Sequence, residues 1–374
     1  MKVLVTGSSG FIGKNLCASL QLRDDIELLT FTHDQTTDIL SKLVEEADFI
    51  YHIAGVNRPD DDSEFIKGNT DLTKSIIDVL RVNKKQTPLL ITSSTQAELD
   101  NAYGKSKLGA ENEVFTWHDE SSAPTYVYRL PGVFGKWSRP NYNTVVATFC
   151  YNIANDLPIT ISDPEHEISL VYIDDVINTF ISHLDNPTAN YTGIQSIERV
   201  FSITLGELSN RIHTLHDIRT DLIVPDLSDV LNKFLYATYI SYFPTTDFSY
   251  LLSKNSDERG YLAEFIKSQQ FGQVFVSNTK PGISRGNHWH QTKIEKFFVV
   301  SGKAEVTFRN KIDNQDIIRY IVNGDDMKVL DIPTGYVHAI KNIGDTNLVT
   351  IFWANEILDK SYPDTHYEQV EETV

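Results

Sequence analysis

The sequence is poor in cysteine, which limits the kinds of protein it can encode. Only Cys17 and Cys150 occur among 374 residues. Two isolated cysteines give neither the disulfide framework of a small secreted domain nor a thiolate set for a metal. Apolar residues make up 41% of the chain, which is enough for a large core. At this length we expect two domains.

Positive charge is also scarce. The chain has 33 Lys and Arg against 51 Asp and Glu, a formal net charge of -18. This balance argues against nucleic acid or an anionic membrane as the main partner. It still permits a small anionic ligand, because backbone amides and a few cations bind phosphate inside an acidic protein.

Long apolar runs are absent. No stretch approaches the length of a transmembrane helix, and the chain starts directly with MKVLVTG, without a basic leader and signal-type apolar run. We therefore expect a cytoplasmic protein.

A glycine-rich turn follows the first apolar strand and opens a helix. Gly7 allows a tight turn, Gly10 lets the backbone approach a pyrophosphate, and Gly13 permits close packing of helix on strand. The free amides at the helix start would hold the phosphates. The predicted dinucleotide-binding residues of this turn are Gly7, Ser9, Gly10, Phe11, Ile12 and Gly13.

The second strand ends without the carboxylate that grips the ribose in NAD-selective sites. Its tip reads Thr30-Phe31-Thr32-His33, and Asp34 comes only later. The space left for a 2′-phosphate favours NADP(H), with His33 beside it, although Asp34 would restore NAD binding. After the third strand, Ala54 and Gly55 let the backbone lie against the cofactor.

A hydroxyl-rich strand end and a Tyr-x-x-x-Lys pair follow. Tyr103 and Lys107 share one face of a helix. We expect the ammonium to lower the pKa of the phenol, which then exchanges a proton with a sugar oxygen while hydride moves at the carbon. Thr95, or Ser94 beside it, would orient the same oxygen.

The periodicity changes to two from Tyr261 onward. Many short apolar-polar segments separated by Gly, Asn and Asp predict an antiparallel barrel or jelly roll. We place the domain boundary near residue 250, giving a dinucleotide-binding domain over 1–250 and an all-β domain over 251–374.

Three histidines and one carboxylate in the second half form a candidate metal site. His288 and His290 alternate on one strand, and Glu295 follows within the same hairpin-sized unit. His338 comes after a Pro-x-Gly turn. These are suitable ligands for a divalent metal, and zinc is the first choice although ligand type alone does not exclude iron, manganese or nickel.

Residues 1–245 resemble the extended short-chain dehydrogenase/reductase family, in the motifs TGSSGFIG, HIAG, SST, YGKSK, RLPGVFG and VYIDDV. The resemblance implies an α/β Rossmann fold, with Tyr103 as acid/base, Lys107 as its activator and ribose anchor, and Thr95 as hydroxyl partner. Dehydratases of the family follow the Thr with Asp-Glu. Here Gln96-Ala97 stands in that place, which favours simple reduction or oxidation.

The second half resembles the cupins. Gly282, His288-x-His290, Glu295 and Gly302 match the first cupin motif, and Pro333-x-Gly335-x-x-His338-x-x-x-Asn342 matches the second. The resemblance implies a jelly-roll barrel that binds a metal through His288, His290, Glu295 and His338. Because cupins commonly pair through strand edges, it also implies a homodimer.

Both halves together resemble the bifunctional enzymes of capsular polysaccharide synthesis that join these two domains. The resemblance implies that the cupin half epimerises C3 of a UDP-linked 4-keto-6-deoxy-N-acetylhexosamine. The N-terminal half would then reduce C4 with NADPH, giving UDP-2-acetamido-2,6-dideoxy-L-talose on the way to UDP-N-acetyl-L-fucosamine.

Three points stay open at the level of sequence. The base of the epimerase is unassigned, with Tyr336, Lys296 and His366 as candidates by chemistry alone. The metal is either catalytic or structural. The main alternative function is a reductase whose cupin half only dimerises the chain or binds sugar, and a non-catalytic NADP sensor is disfavoured by Tyr103 and Lys107.

Overall fold

The structure is a computed structural model that describes residues 1–185, 191–244, 247–290, 293–311, 316–361 and 363–371. The chain divides into two compact units. The first comprises Met1–His213 and Phe234–Pro244, and the second comprises Thr214–Lys233 and Thr245–Val374. Among the described residues, no helix is both long enough and apolar enough to span a bilayer.

Strands and helices alternate along the first half of the chain. The strands are β1 Lys2–Thr6, β2 Glu27–Phe31, β3 Phe49–His52, β4 Leu89–Ser94, β5 Thr125–Leu130, β6 Gly132–Phe134, β7 Glu167–Tyr172, β8 Ile194–Gln195 and β9 Phe201–Thr204. The helices are α1 Phe11–Leu20, α2 Thr37–Glu46, α3 Ser63–Phe65, α4 Leu72–Val82, α5 Ala102–Ser121, α6 Val145–Ala154, α7 Ile173–Asp185, α8 Leu205–Asp221 and α9 Val230–Ile240.

A parallel sheet in the order β2-β1-β3-β4-β5-β8 forms the centre of the first unit. The chain leaves β1 towards β2 on one side and returns to β3 on the other, so the strand order reverses between β1 and β3. In open parallel sheets, ligands bind at the carboxyl ends of the strands at such a point. The three-stranded sheet β6-β7-β9 lies apart from it.

The core of the first unit explains the apolar character of its strands. Leu4, Ile50, Leu89 and Val127 on four neighbouring strands are buried in one cluster with side chains of α2, α4 and α5. Strands covered by helices on both faces bury nearly every residue, and β3 accordingly has all four residues buried. Burial fixes these strands, and their ends carry the polar residues.

The second half of the chain is built from short antiparallel strands. They are β10 Asn255–Asp257, β11 Gly260–Ser268, β12 Gly272–Thr279, β13 Ser284–Trp289, β14 Glu295–Ser301, β15 Lys303–Asn310, β16 Ile317–Asn323, β17 Val329–Ile332, β18 Tyr336–Asn342, β19 Leu348–Ala354 and β20 His366–Tyr367. One sheet has the order β10-β11-β12-β19-β14-β17, and the other has the order β16-β15-β18-β13-β20. The predicted fold class, a Rossmann α/β domain plus an all-β barrel, is confirmed.

Two features shape the barrel. Phe297, Val306, Ile340 and Phe352 bury their side chains in one core cluster drawn from strands of both sheets. The segment after α8 adds to one sheet: Lys267 N donates to Leu222 O and Val224 N donates to Lys267 O, each at 2.8 Å. This pairing accounts for the assignment of Thr214–Lys233 to the second unit.

Candidate functional site

The glycine turn after β1 is as tight as its sequence predicts. Gly7 has φ +69°, and its N–H donates to Phe31 O at 2.8 Å. A Cβ on Gly13 would lie 2.1 Å from Gly7 O, and one on Gly7 would lie 2.7 Å from Ala54 Cα. Gly55 lies against the Lys107 side chain, because a Cβ on Gly55 would lie 2.9 Å from Lys107 Nζ. Only glycine fits the backbone contacts at Gly7 and Gly13.

The start of α1 is arranged to receive an anion. Gly10 is its N-cap, with no side-chain cap, and Phe11 and Ile12 are the first helical residues, so their amides have no partner within the helix. Ser9 is exposed just before them. The predicted residues of this turn therefore lie together at the switch point of the sheet, where a pyrophosphate binds in this fold.

The Asp34 carboxylate near the tip of β2 is hydrogen-bonded within its own turn. Thr32 follows the strand, and its hydroxyl donates to Asp34. Its amide donates to the Gln35 side chain at 2.8 Å. His33 is exposed at the tip. The arrangement keeps Asp34 occupied within its own turn.

Tyr103 lies in the first turn of α5, which Asn101 caps by accepting from Gly104 N at 2.7 Å. The phenol is hydrogen-bonded to the side chain of Ser94, the last residue of β4. Thr95, the predicted partner, starts a 3₁₀ turn and is exposed. The sequence left Thr95 and Ser94 as alternatives, and the hydroxyl that interacts with Tyr103 is that of Ser94.

Lys107 is buried one turn further along α5. Its Nζ donates to Thr92 O at 3.1 Å and lies 5.9 Å from the centre of the Tyr103 ring. Burial lowers the pKa of Lys107 to about 8, against a smaller raising effect of Glu111. Burial also raises the pKa of Tyr103, and this outweighs the hydrogen bond with Ser94. The expected lowering of the phenol pKa is therefore not found, because desolvation dominates.

A buried ion pair behind this site was not predicted from the sequence. Glu111 follows Lys107 by one turn, is fully buried, and accepts from Arg129 Nε at 2.9 Å and Nη2 at 2.7 Å. Ser93, next to Ser94, donates to the same carboxylate at 2.5 Å. The helical spacing of four residues places Glu111 on the same face of α5 as Lys107. Its partner Arg129 lies on β5, and only the folded structure brings the two side chains together.

The four predicted metal ligands come together in the barrel. One ligand atom from each of His288, His290, Glu295 and His338 lies within 4.8 Å of the others. Nε2 of His290 and Nε2 of His338 lie 3.2 Å and 3.3 Å from Oε2 of Glu295. The register places His288 directly opposite His338 on neighbouring strands.

The hydrogen bonds around the cluster leave the right nitrogens available. Nδ1 of His338 donates to Tyr336 O at 3.2 Å, and Nδ1 of His290 donates to Asp364 O. A carbonyl only accepts, so Nδ1 carries the hydrogen and Nε2 keeps its lone pair. Nε2 of His338 is buried and makes no hydrogen bond among the described residues. The donor set and its outer contacts fit a divalent metal.

The charge states of the cluster also suit a cation. Burial lowers the pKa of His288 to about 4, helped by the neighbouring His338. Burial raises the pKa of Glu295, but the imidazoles of His290 and His338 outweigh it, and the pKa lies below its usual range. At neutral pH, His288 is therefore a neutral imidazole and Glu295 a carboxylate, the forms that bind metals.

The structure separates the three candidate bases of the barrel. Lys296 is exposed and paired with Asp331, and it alternates with the inward Glu295, so it faces away from the cluster. His366 stacks on Trp289 with ring centres 4.6 Å apart, on the face opposite His288. Tyr336 lies two residues before His338 on the same face and packs against the barrel core. Only Tyr336 faces the interior.

One buried cation near the cluster was missed. Lys293 is 4% exposed, its Nζ lies 3.5 Å from Glu356 Oε1, and its charge contributes to the lowered pKa of His288. It lies just before β14, and its backbone N–H donates to the Asp364 side chain at 2.8 Å. The sequence alone gives no sign of this, because lysines are mostly exposed.

Comparison with protein families gives one match for each half of the chain. Residues 3–195 match the NAD dependent epimerase/dehydratase family, and residues 255–366 match the polysaccharide biosynthesis C-terminal domain. Among curated proteins, UDP-2-acetamido-2,6-beta-L-arabino-hexul-4-ose reductase of Pseudomonas aeruginosa is 42% identical over 366 residues, covering 98% of both chains.

Solved structures agree over the same length. CapF from Staphylococcus aureus, described as a capsular polysaccharide assembling protein, has a TM-score of 0.92 and 44% identity, covering 99% of this chain and 100% of that one. UDP-glucuronic acid 4-epimerase from Bacillus cereus, with NAD, has a TM-score of 0.53 and 18% identity over 65% of this chain and 98% of that one. The second likeness concerns the fold alone.

Proposed function

Because the chain belongs to the NAD-dependent epimerase/dehydratase family and joins it to a polysaccharide-biosynthesis barrel, we propose that it is a bifunctional enzyme of nucleotide-sugar synthesis. The barrel epimerises C3 of a UDP-linked 4-keto-6-deoxy-N-acetylhexosamine. The first unit then reduces C4 to give UDP-2-acetamido-2,6-dideoxy-L-talose, on the way to UDP-N-acetyl-L-fucosamine. The observation that carries the proposal is the presence of a complete Ser-Tyr-Lys group and a complete metal-ligand set in one chain.

Tyr103 is the proton donor of the reduction. A bound nicotinamide supplies the hydride to the carbonyl carbon. The phenol of Tyr103 gives its proton to the carbonyl oxygen, which becomes the C4 hydroxyl. Ser94, hydrogen-bonded to the phenol, orients that oxygen, and Lys107 holds positive charge beside the ring from its anchor on Thr92 O.

We propose NADPH as the reductant. Strand β2 ends without a carboxylate at its tip, and the later Asp34 is hydrogen-bonded to the Thr32 hydroxyl within its own turn. His33 is exposed at the same tip and is available to a 2′-phosphate. The ratio of kcat/KM for NADPH and NADH measures the preference.

The barrel acts on the carbon next to the ketone. The carbonyl acidifies the C3 proton, so a base removes it and an acid returns it on the opposite face. Tyr336 is the candidate proton carrier, because its side chain shares the interior face of β18 with His338. Epimerisation is reversible, and reduction of the ketone removes the product and draws the reaction forward.

The metal is best assigned as zinc. Three imidazoles and one carboxylate give the four ligands of a tetrahedral Zn²⁺ site, although the same ligands bind other divalent ions. A divalent ion would supply positive charge near the sugar carbonyl and tie β13, β14 and β18 together. Four protein ligands fill a tetrahedral shell and leave little room for substrate. We therefore assign the metal mainly the structural role of holding the three strands together.

We also propose a homodimer formed through the barrel, in a cytoplasmic enzyme. Strand β16 lies at the edge of its sheet, so its outer backbone groups are open to pairing. Four of its large apolar side chains, from 38% to 50% exposed, lie along that edge: Ile317, Ile318, Tyr320 and Ile321. Sedimentation of the full chain tests this.

Product analysis tests the proposed function. The full chain, given the UDP-4-keto sugar and NADPH, should form a sugar reduced at C4 and inverted at C3. Tyr103→Phe should abolish reduction and leave C3 exchange with solvent intact, because the two sites are separate. A product reduced at C4 with C3 unchanged would favour the second candidate, a reductase whose barrel only dimerises the chain or binds sugar.

A further inference from the structure

Arg285 extends into the barrel next to the metal cluster and is incompletely paired. It lies opposite Ile340 on β18, and Ile340 belongs to the barrel core, so Arg285 faces inward. A bulge between Gly286 and His288 resets the alternation, and it turns Arg285 and His288 to the same face. Without the bulge, an odd spacing of three residues would place them on opposite faces.

The guanidinium has one donor bond and one buried nitrogen without a partner. Nε of Arg285 donates to Thr279 Oγ1 at 2.8 Å. Nη2 is buried and finds no acceptor among the described residues. A hydroxyl in the same interior, Thr350 Oγ1, is also buried and has no hydrogen-bond partner in the described part of the chain, and Thr350 lies opposite the buried Ser277. Buried polar groups of this kind are normally met by a ligand or by ordered water.

A second arginine stands at the rim. Arg259 precedes β11 and is bonded through Nη2 to Asp257 at 2.6 Å. Burial lowers the pKa of Arg285, and the charge of Arg259 lowers it further. The two residues also contact neighbouring positions of the chain: Lys280 N donates to Arg259 O at 2.9 Å, next to the Thr279 that accepts from Arg285 Nε. Asp257 pairs with Arg259 and also attracts Arg285, and within the described part of the chain Arg285 forms no ion pair of its own. The pair therefore leaves net positive charge inside an acidic protein.

The two arginines lie at the seam between the sheets. Strands β10 and β20 are the edges of their respective sheets. Tyr367 of β20 is opposite His288, with ring centres 6.1 Å apart, and it also acts on the pKa of Arg259. At 85% exposed, Tyr367 marks the open side. Arg259 thus interacts with the exposed Tyr367, and Arg285 shares the interior face of β13 with His288.

We propose that this seam is an anion subsite, in which Arg285, with Arg259 at the rim, binds the diphosphate of the nucleotide sugar. Arginine is suited to this because its planar fork pairs with phosphate oxygens. Arg285 and His288 lie opposite Ile340 and His338, two residues apart along one strand, or about 7 Å. That separation places the hexose ring, attached to the diphosphate, at the metal cluster. The subsite rests on the proposed epimerase function of the barrel.

The first test measures C3 exchange in D₂O without NADPH, over a range of UDP-sugar concentrations. Arg285→Met should raise KM for exchange, and the inhibition constant of free UDP, about tenfold, because a bond to a charged group is lost. Metal content should stay at the wild-type level, and so should KM for reduction of the epimerised ketone. Unchanged KM and UDP inhibition with normal metal content would overturn the proposal and leave Arg285 bonded to water.

Two further variants keep the test decisive. Lys341→Met removes an exposed cation from the strand beside Arg285, on the outer face, and should change none of these values. Arg259→Met alters a half-exposed side chain, and should raise KM for exchange even if Arg285→Met fails to fold. Equal KM in wild type and Arg259→Met would then count against the subsite.

Calorimetry with UDP separates this proposal from the proposed function. If wild type shows no C3 exchange, the epimerase function fails, but UDP binding still reports on the subsite. Wild type should then bind UDP at a site that Arg285→Met lacks and Lys341→Met retains. Identical UDP titrations of wild type and Arg285→Met would reject the subsite independently of catalysis.

Discussion

Burial acts on Tyr103 and Lys107 in opposite directions, and the result is the pair that reduction needs. It disfavours the phenolate and raises the pKa of Tyr103, and it disfavours the ammonium and lowers the pKa of Lys107 to about 8. At neutral pH the phenol therefore keeps its proton and the lysine keeps its charge. A proton donor and an adjacent cation are thus ready together.

The lowered pKa of Lys107 predicts a descending limb in the pH profile of kcat/KM for reduction. Lys107 is charged below about pH 8 and neutral above it, whereas burial raises the pKa of Tyr103 above that of a free phenol, so Lys107 is the first of the two to change as pH rises. We expect kcat/KM for the keto sugar to fall as pH increases through about 8. In Lys107→Arg, whose guanidinium stays charged, that limb should disappear. A limb at the same pH in the variant would assign it to another group.

The buried Glu111–Arg129 pair predicts a large loss of stability on breaking it. Arg129→Met leaves the fully buried Glu111 carboxylate unpaired, and we expect the free energy of unfolding of the first unit to fall by about 3–5 kcal/mol. Arg81→Met, which breaks an exposed pair with Glu120, should cost less than about 1 kcal/mol. Urea unfolding of both variants checks this, and equal costs would contradict the burial argument.

At the scale of elements, the fold class of both halves could be predicted from hydrophobic periodicity and turn residues. The burial of apolar side chains on one face of each strand or helix leaves that periodicity in the sequence. The four metal ligands could be predicted because spacing and alternation place them on known faces. The exact end of β4 could not, so the sequence left Thr95 and Ser94 as alternatives for the hydroxyl beside Tyr103. Lys293 and Arg129 depend on packing between distant strands, which one sequence does not contain.

The glycine turn gives a prediction about packing of α1 on β1. Gly13→Ala would bring a Cβ to 2.1 Å from Gly7 O, a backbone atom that is unable to move without opening the turn. We expect nicotinamide cofactor binding to be lost, as measured by fluorescence titration. Gly344→Ala, whose Cβ would be 3.4 Å from Lys303 N, should bind the cofactor normally. Normal binding by Gly13→Ala would show that the turn is not as tight as described.

The pairing of β13 with β18 gives a prediction about the metal. His338→Ala removes a ligand at the centre of the cluster, and we expect metal content to fall to a small fraction of wild type. Elemental analysis of the purified full chain measures it. His366→Ala, on the outer face of β20, is the matched control and should keep its metal. Full metal content in His338→Ala would remove this residue from the site.

At the scale of the whole molecule, the central claim is that the two halves act in turn on one ketone. Each half alone performs a chemically incomplete task. Epimerisation without reduction stops at an equilibrium, and reduction without epimerisation gives the other C3 configuration. Fusion in one chain keeps the two catalysts in equal amounts, which suits consecutive reactions on one substrate.

The most direct test is C3 exchange of the UDP-4-keto sugar in D₂O without NADPH, followed by NMR. We predict that wild type and Tyr103→Phe incorporate deuterium at C3, because exchange needs only the barrel. His338→Ala, which loses a metal ligand, should incorporate little. Absence of deuterium in wild type, or undiminished exchange after removal of residues 255–374, would contradict the claim that the barrel is the epimerase.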